Sequence, residues 1–289
     1  MNSSRGSESW VEFTGNAGRR ARPARTAHGL VCVFVCSYFS RVTSACANGG
    51  TDRVLGVLVA GETLPAIARL RGDFERFIRG RTGDGWRGRW AVYDVRGSAP
   101  LPGPRDADAF IMTGSSSSVT ERAPWMLRAE ELLRRIVLAR VPLFGICFGH
   151  QMIAQALGGE VTKNPLGREI GTVRVTRTMD DPLFAGLPRA FDVHATHVDA
   201  VMRPPPGALV LARTALDPVA AFAIGDRVRA VQFHPELDAE IMRGYLLARA
   251  GILRGEGLDP DAMLARVHDG TRGHDVLRNF ARLAGARPS

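Results

Sequence analysis

Short apolar runs alternate with longer segments of helical periodicity through the middle of the chain. Residues 54–59, Val-Leu-Gly-Val-Leu-Val, form an apolar run of strand length. Such a run, bounded by turn residues, predicts a buried strand. Residues 64–79 carry apolar side chains at 64, 67, 70, 74, 77 and 78. That is helical spacing, and Gly80 is predicted to end the helix. Residues 90–94 and 108–112 are the next predicted strands, on either side of a Pro/Gly-rich loop at 98–104. The third strand runs into Thr113-Gly114-Ser115-Ser116. Residues 124–140 predict a helix with Pro124 in its first turn, and residues 141–146 return to strand. Strands alternating with helices imply an α/β fold whose parallel sheet is covered on both faces.

Beyond Leu157-Gly158-Gly159 the period changes. Residues 172–177 alternate with period two, and 191–196 and 208–212 are further strand candidates. Residues 221–224 and 228–233 flank Gly225-Asp226, a hairpin signal. The second half is therefore expected to be β-rich and mostly antiparallel. Residues 236–254, 260–267 and 274–285 are predicted to be closing helices. There is no internal repeat and no second domain boundary, so residues 53–285 are expected to form one domain.

Residues 1–52 break this pattern, with clusters of Ser, Gly and Arg around an apolar patch at 30–36. Basic residues before the patch and Ala45-Cys46-Ala47 after it have the outline of an export signal. The patch is short and the leader long for that purpose. The expectation is a disordered or otherwise non-core extension, with the domain in the cytoplasm.

Composition changes this picture little. Hydrophobic residues make up 45% of the 289 and charged residues 23%, ordinary for a globular chain. No apolar run approaches the ~20 residues of a membrane span. Net charge is +9, but the basic residues are scattered arginines, Lys163 being the only lysine. A scattered excess without a run or stripe argues against a nucleic-acid partner. Three of the four cysteines, Cys32, Cys36 and Cys46, precede the domain, and only Cys147 lies within it. No spacing suggests a disulfide framework, a zinc site or a cofactor motif.

The chemistry concentrates at two stretches. Gly145-Ile146-Cys147-Phe148-Gly149 follows the apolar run 141–146 and opens a helical pattern. Gly-x-Cys-x-Gly in that context is a strand-to-helix elbow, with sulfur where many hydrolases carry serine. Such an elbow sets the sulfur at a helix N-terminus, which favours thiolate, and points the Phe148 amide where an oxyanion would form. The bland alternative is a buried, inert cysteine between packing glycines. The second stretch, Gln232-Phe233-His234-Pro235-Glu236, closes another apolar run with a histidine and a carboxylate. A thiol nucleophile needs a base, and the base an orienting acid. Cys147, His234 and Glu236 supply one of each. His150 is also near the cysteine, but it lies on the helix beyond the elbow, where it would point away from the sulfur.

Gly145-Ile146-Cys147-Phe148-Gly149-His150-Gln151 together with Phe233-His234-Pro235-Glu236 resembles the class I glutamine amidotransferase family, over most of the chain. The resemblance implies a flavodoxin-like three-layer sandwich and release of ammonia from the side-chain amide of glutamine. Cys147 would form the γ-glutamyl thioester, His234 would shuttle the proton and Glu236 would orient the imidazole. By resemblance Gly114 supplies a second oxyanion amide, although Ser115 stands where relatives often carry another glycine; an ordinary turn glycine is the alternative. Gln151 matches a glutamine that contacts the amino-acid end of the substrate, unless it is a helix-surface amide. Thr196-His197-Val198-Asp199 resembles the Ser-His-Gly-Asp stretch that borders the glutamine pocket in guanylate synthetases, with Val198 for the glycine. His197 could serve the substrate or merely pack the loop.

Three functions fit these residues. One is a glutamine amidotransferase whose ammonia goes to a separate synthase or acceptor chain, since no Gly-x-x-x-x-Gly-Lys-[Ser/Thr] or Ser-Gly-Gly-x-Asp-Ser is present. The second is a γ-glutamyl peptidase or hydrolase using the same triad; residues 164–171 are similar to stand-alone members of that sort. The third is a non-catalytic binding module. The resemblance implies no cofactor and no metal, and a glutamine or γ-glutamyl substrate.

Overall fold

In the computed structural model, which describes residues 52–286, the apolar runs become the centre of a nine-stranded sheet. The expectations for residues 1–51 lie outside the described residues. The strands are β1 (Val54–Val59), β2 (Arg89–Asp94), β3 (Ala109–Met112), β4 (Leu143–Ile146), β5 (Glu160–Lys163), β6 (Glu169–Arg177), β7 (Ala190–His197), β8 (Asp199–Arg203), β9 (Leu209–Arg213), β10 (Ala221–Ile224) and β11 (Val228–Val231). The sheet order is β2-β1-β3-β4-β11-β10-β9-β6-β7, and β5 pairs with β8 in a separate antiparallel ribbon. From β2 to β11 every pairing is parallel; from β11 to β7 every pairing is antiparallel. The helices are α1 (Pro65–Arg71), α2 (Phe74–Thr82), α3 (Pro124–Leu138), α4 (Phe148–Ala156), α5 (Ala239–Gly255), α6 (Pro260–Arg266) and α7 (Gly273–Gly285).

Strand alternation divides the core into two layers. Ile111, Phe144 and Ile146 face one layer with α2 and α7, where Phe144 stacks on Phe280 at 4.8 Å. Phe110, Met112 and Leu143 face the other, against Met126, Leu133 and Ile136 of α3 and Met152 and Ile153 of α4. Both faces are buried, which is why these strands read as continuous apolar runs. The fold is thus α/β with helices on both sides of its parallel half. A third apolar cluster, with Phe74, Phe77, Met242, Tyr245 and Leu246, packs α5 beside the carboxyl ends of the strands.

Two expectations need correction, and one element was not expected at all. The single helix expected over 64–79 is two, and Gly80 lies inside the second. The chain breaks at Gly72, where φ is +88°, and Asp73 caps α2 through a carboxylate that accepts from the N–H groups of Phe74 and Thr63. The helix expected from 236 starts at Ala239, capped by Asp238, which leaves Glu236 in the turn before it. The ribbon of β5 and β8 had no sequence signal, since each strand is short and half polar.

Candidate active site

β4 ends at Ile146 and α4 starts at Phe148, so the reversal falls on Cys147 alone. Its backbone sits at φ +51°, ψ −102°. A non-glycine residue there costs on the order of 1–3 kcal/mol, and such strain concentrates at functional sites. The flanking glycines are required by space. A Cβ on Gly145 would lie 2.6 Å from the Gly149 carbonyl, and one on Gly149 would lie 2.4 Å from the Met112 carbonyl oxygen. Cys147 is a free thiol, 5% exposed, and opens into a cavity of about 380 Å³. Phe148 is the first residue of α4, so its N–H has no acceptor within the helix.

His234 reaches the same place from β11. Its backbone N–H donates to the His194 carbonyl of β7 at 2.8 Å, which fixes it beyond the strand end. Its Nδ1 lies 2.7 Å from Glu236 Oε1, and both side chains are buried. Nε2 has no hydrogen-bond partner among the described residues. Burial opposes the charge on this ring, but Glu236 and Cys147 outweigh it and raise the pKa to about 10. A Cβ on Gly114 would stand 2.9 Å from His234 Cε1 and 3.8 Å from Cys147 Cβ. Imidazole and sulfur-bearing carbon therefore flank one small void against the end of β3, and Gly114 N–H donates to no protein acceptor among the described residues. Phe74 stacks on the imidazole with ring centroids 6.1 Å apart.

Gln151 is 4% exposed, so it is no helix-surface amide. Its Nε2 donates to the Asp199 carbonyl at 2.9 Å and to Gln232 Oε1 at 3.0 Å. Both N–H groups are used, which leaves Oε1 as its free atom on the cavity wall. His197 is also committed on both nitrogens: Nδ1 to the Asp199 carbonyl at 3.0 Å, and Nε2 to Glu169 Oε2 at 3.1 Å. Burial pulls its pKa down, and the Glu169 hydrogen bond with Asp217 and Cys147 raises it on balance. His197 thus braces the wall and offers no free ring nitrogen to a ligand. His150 packs on Phe222 at 4.9 Å and is held neutral by burial, its pKa about 3.

Four residues beyond those predicted help build the site. Gln232 Nε2 donates to Cys147 Sγ at 3.5 Å. It stands two residues before His234 and four before Glu236, an alternation that could have drawn attention to it. Glu169 holds His197 and accepts from Thr214 Oγ1 at 2.7 Å. Asp217 is fully buried nearby, its pKa raised to about 6 by burial. Arg249 comes from α5 and had no local signal at all.

A second cavity, about 330 Å³, opens on the His234 side. Ser115, Ser116, Ser117, Thr196 and Arg249 line both, so the two chambers share one wall. Among the described residues no cluster of three or more His, Cys, Asp or Glu could hold a metal, and no helix is long and apolar enough to cross a membrane.

Residues 100–252 match the family model described as glutamine amidotransferase class-I. The chain is 42% identical over 134 residues to the glutamine-hydrolyzing GMP synthase of Aeropyrum pernix, covering 46% of this chain and 25% of that protein. It is 42% identical over 181 residues to the same enzyme of Thermus thermophilus, covering 62% and 28%. The chain thus spans about a quarter of the length of the curated relatives it matches. A glutamine amido transferase structure from Methylobacillus flagellatus superposes with TM-score 0.62 at 26% identity, covering 80% of this chain and 91% of that one. A glutamine amidotransferase from Thermotoga maritima shares the fold, with TM-score 0.59 at 22% identity over 80% and 96%.

Proposed function

The chain belongs to the class-I glutamine amidotransferase family, and on that premise we propose that it hydrolyses the side-chain amide of glutamine with Cys147, His234 and Glu236. The observation that carries this reading is a strained, cavity-facing Cys147 across one small void from an imidazole hydrogen-bonded to Glu236 at 2.7 Å. An imidazolium beside the sulfur stabilises thiolate, the attacking form. The thiolate adds to the γ-carbonyl, and the N–H groups of Gly114 and Phe148 receive the oxyanion. The C–N bond breaks as His234 Nε2 protonates the departing ammonia. His234 then takes a proton from water, whose oxygen releases glutamate and returns the thiol. Gln151 Oε1 accepts from the substrate α-ammonium, and His197 holds the wall it stands on.

The relatives named above are synthases several times longer than their matched parts. The ammonia made here is therefore proposed to serve an acceptor outside the matched domain. A reducing compartment, the cytoplasm, suits a nucleophile that must remain a thiol. The test is direct. Purified protein with glutamine should yield equal amounts of ammonia and glutamate, and a chloroketone analogue of glutamine should add one equivalent to Cys147. Neither product nor adduct would remove this reading.

A further inference from the structure

We propose that His197 is a positioning residue with a standing positive charge, and that this imidazolium fixes the Asp199 carbonyl and, through it, the Gln151 amide in the orientation that receives glutamine. The substrate half of the inference rests on the hydrolase reading above; the charge rests on hydrogen-bond geometry.

The ring has an acceptor on each side. His197 and Glu169 are direct neighbours across the β6–β7 pair. His197 Nε2 lies 3.1 Å from Glu169 Oε2, and Nδ1 lies 3.0 Å from the Asp199 carbonyl oxygen. A carbonyl oxygen can only accept, so Nδ1 carries a hydrogen. A second hydrogen must stand between Nε2 and Oε2, because a ring lone pair facing a buried carboxylate would leave both unsatisfied. Imidazole is the stronger base, ordinarily near 6.5 against about 4.3 for glutamate, so the ring keeps this proton. One hydrogen on each nitrogen makes the ring a cation.

The surroundings suit that cation. Glu169 and Asp217 are both buried, and the second oxygen of Glu169 accepts from Thr214 Oγ1 at 2.7 Å. Asp217 Oδ1 accepts from the Val219 N–H at 2.9 Å, and Oδ2 has no hydrogen-bond partner among the described residues. Two buried carboxylates beside one ring require a positive charge there. Asp217 and Cys147 both favour the charged ring. The Asp199 carboxylate accepts from Ser118 Oγ. Arg168 and Arg249 share the chamber wall, and Arg168 is held by both oxygens of Glu256 at 2.8 Å. The nearby His150 is neutral, so no second imidazolium opposes the first.

The charge reaches the substrate through one carbonyl. The Asp199 oxygen accepts from His197 Nδ1 and from Gln151 Nε2, the latter at 2.9 Å, and Gln151 Nε2 also donates to Gln232 Oε1 at 3.0 Å. A neutral ring has one proton for two acceptors. If Glu169 takes it, a lone pair faces the Asp199 carbonyl, which turns away and releases Gln151. With the charge in place Gln151 Oε1 stays the free atom on the chamber wall.

Two readouts test this. In protein labelled with 15N-histidine, both ring nitrogens of His197 should show imidazolium shifts from pH 6 to 9, the signals being assigned by their loss in His197→Gln. A neutral-imidazole pattern at pH 8 overturns the proposal whatever the kinetics. Steady-state hydrolysis of glutamine reads the positioning. Wild-type KM should stay level from pH 6 to 8. In Glu169→Gln the ring loses its counter-charge and titrates, so KM should rise roughly tenfold over that range while kcat changes far less. A level KM in Glu169→Gln, or KM and kcat worsening together at every pH, overturns the positioning role. A wild type without turnover overturns the hydrolase reading and the substrate half of this proposal with it, while the spectra still decide the charge.

Discussion

Gln232 Nε2 stands 3.5 Å from Cys147 Sγ, while its Oε1 receives the side-chain N–H of Gln151 at 3.0 Å. One amide therefore connects the Cys147 sulfur to the residue proposed to hold the substrate α-ammonium. A hydrogen bond to a charged acceptor is worth about 1.5–3 kcal/mol. Gln232→Leu should lower kcat roughly 10- to 100-fold and slow Cys147 alkylation by a haloacetamide. Unchanged turnover and alkylation rates would show that the amide does not act on the sulfur.

Gly114 has no room for a methyl group on its side of the void. In Gly114→Ala the new Cβ meets the His234 ring at 2.9 Å, and the ring must move or the β3 end must shift. Glutamine hydrolysis should fall by about 100-fold or more, a loss comparable to removing an oxyanion donor. The melting temperature should change little, because the clash is with one ring edge rather than the core. Retained activity would place the oxyanion elsewhere.

Within the triad the losses should be unequal. Cys147→Ala should abolish turnover, and His234→Ala should come close. Glu236→Gln keeps a hydrogen-bond acceptor for Nδ1 but removes the charge that raises the His234 pKa, so it should retain more activity than either. Steady-state rates of the three purified variants would decide the order.

Acid should weaken the fold through two histidines outside the triad. Burial holds His150 at about 3 and His194 at about 4, against 6.5 in an unfolded chain. Between those limits the unfolded chain takes up protons that the folded one refuses, so stability falls as pH drops below about 6.5. Asp217 and His234 act in the other sense. Asp217, raised to about 6, contributes its stability fully below 3.8 and loses it as pH rises through 6. His234, raised to about 10, contributes fully below 6.5 and loses it as pH rises towards 10. Melting temperature should therefore decline from pH 6.5 to 4, and the decline should be shallower in His150→Phe, whose ring can pack on Phe222 without titrating. Parallel declines in the two proteins would rule out His150 as a source.

Removing residues 1–51 should leave melting temperature and glutamine hydrolysis unchanged. β1 begins at Val54, and the described core is continuous from there. Calorimetry of the shortened chain checks this, and a fall of several degrees would move the domain boundary towards the N-terminus.

The sequence by itself determined the parallel half of the sheet, the elbow and the His234–Glu236 pair. Each is local: an apolar run of strand length, two glycines around one cysteine, a histidine two residues from a glutamate. Burial on both faces and tight reversals leave such marks within ten residues. Tertiary structure decided the rest. The break at Gly72 depends on Asp73 capping α2 while also holding Thr63, and the ribbon of β5 and β8 depends on two half-polar strands finding each other across about 40 residues. Gln232 meets Cys147 across 85 positions, and Arg249 joins the site only because α5 packs beside the strand ends. A polar side chain carries no periodic signal of its own. Whether it serves the surface or a buried sulfur is decided by which distant element closes over it.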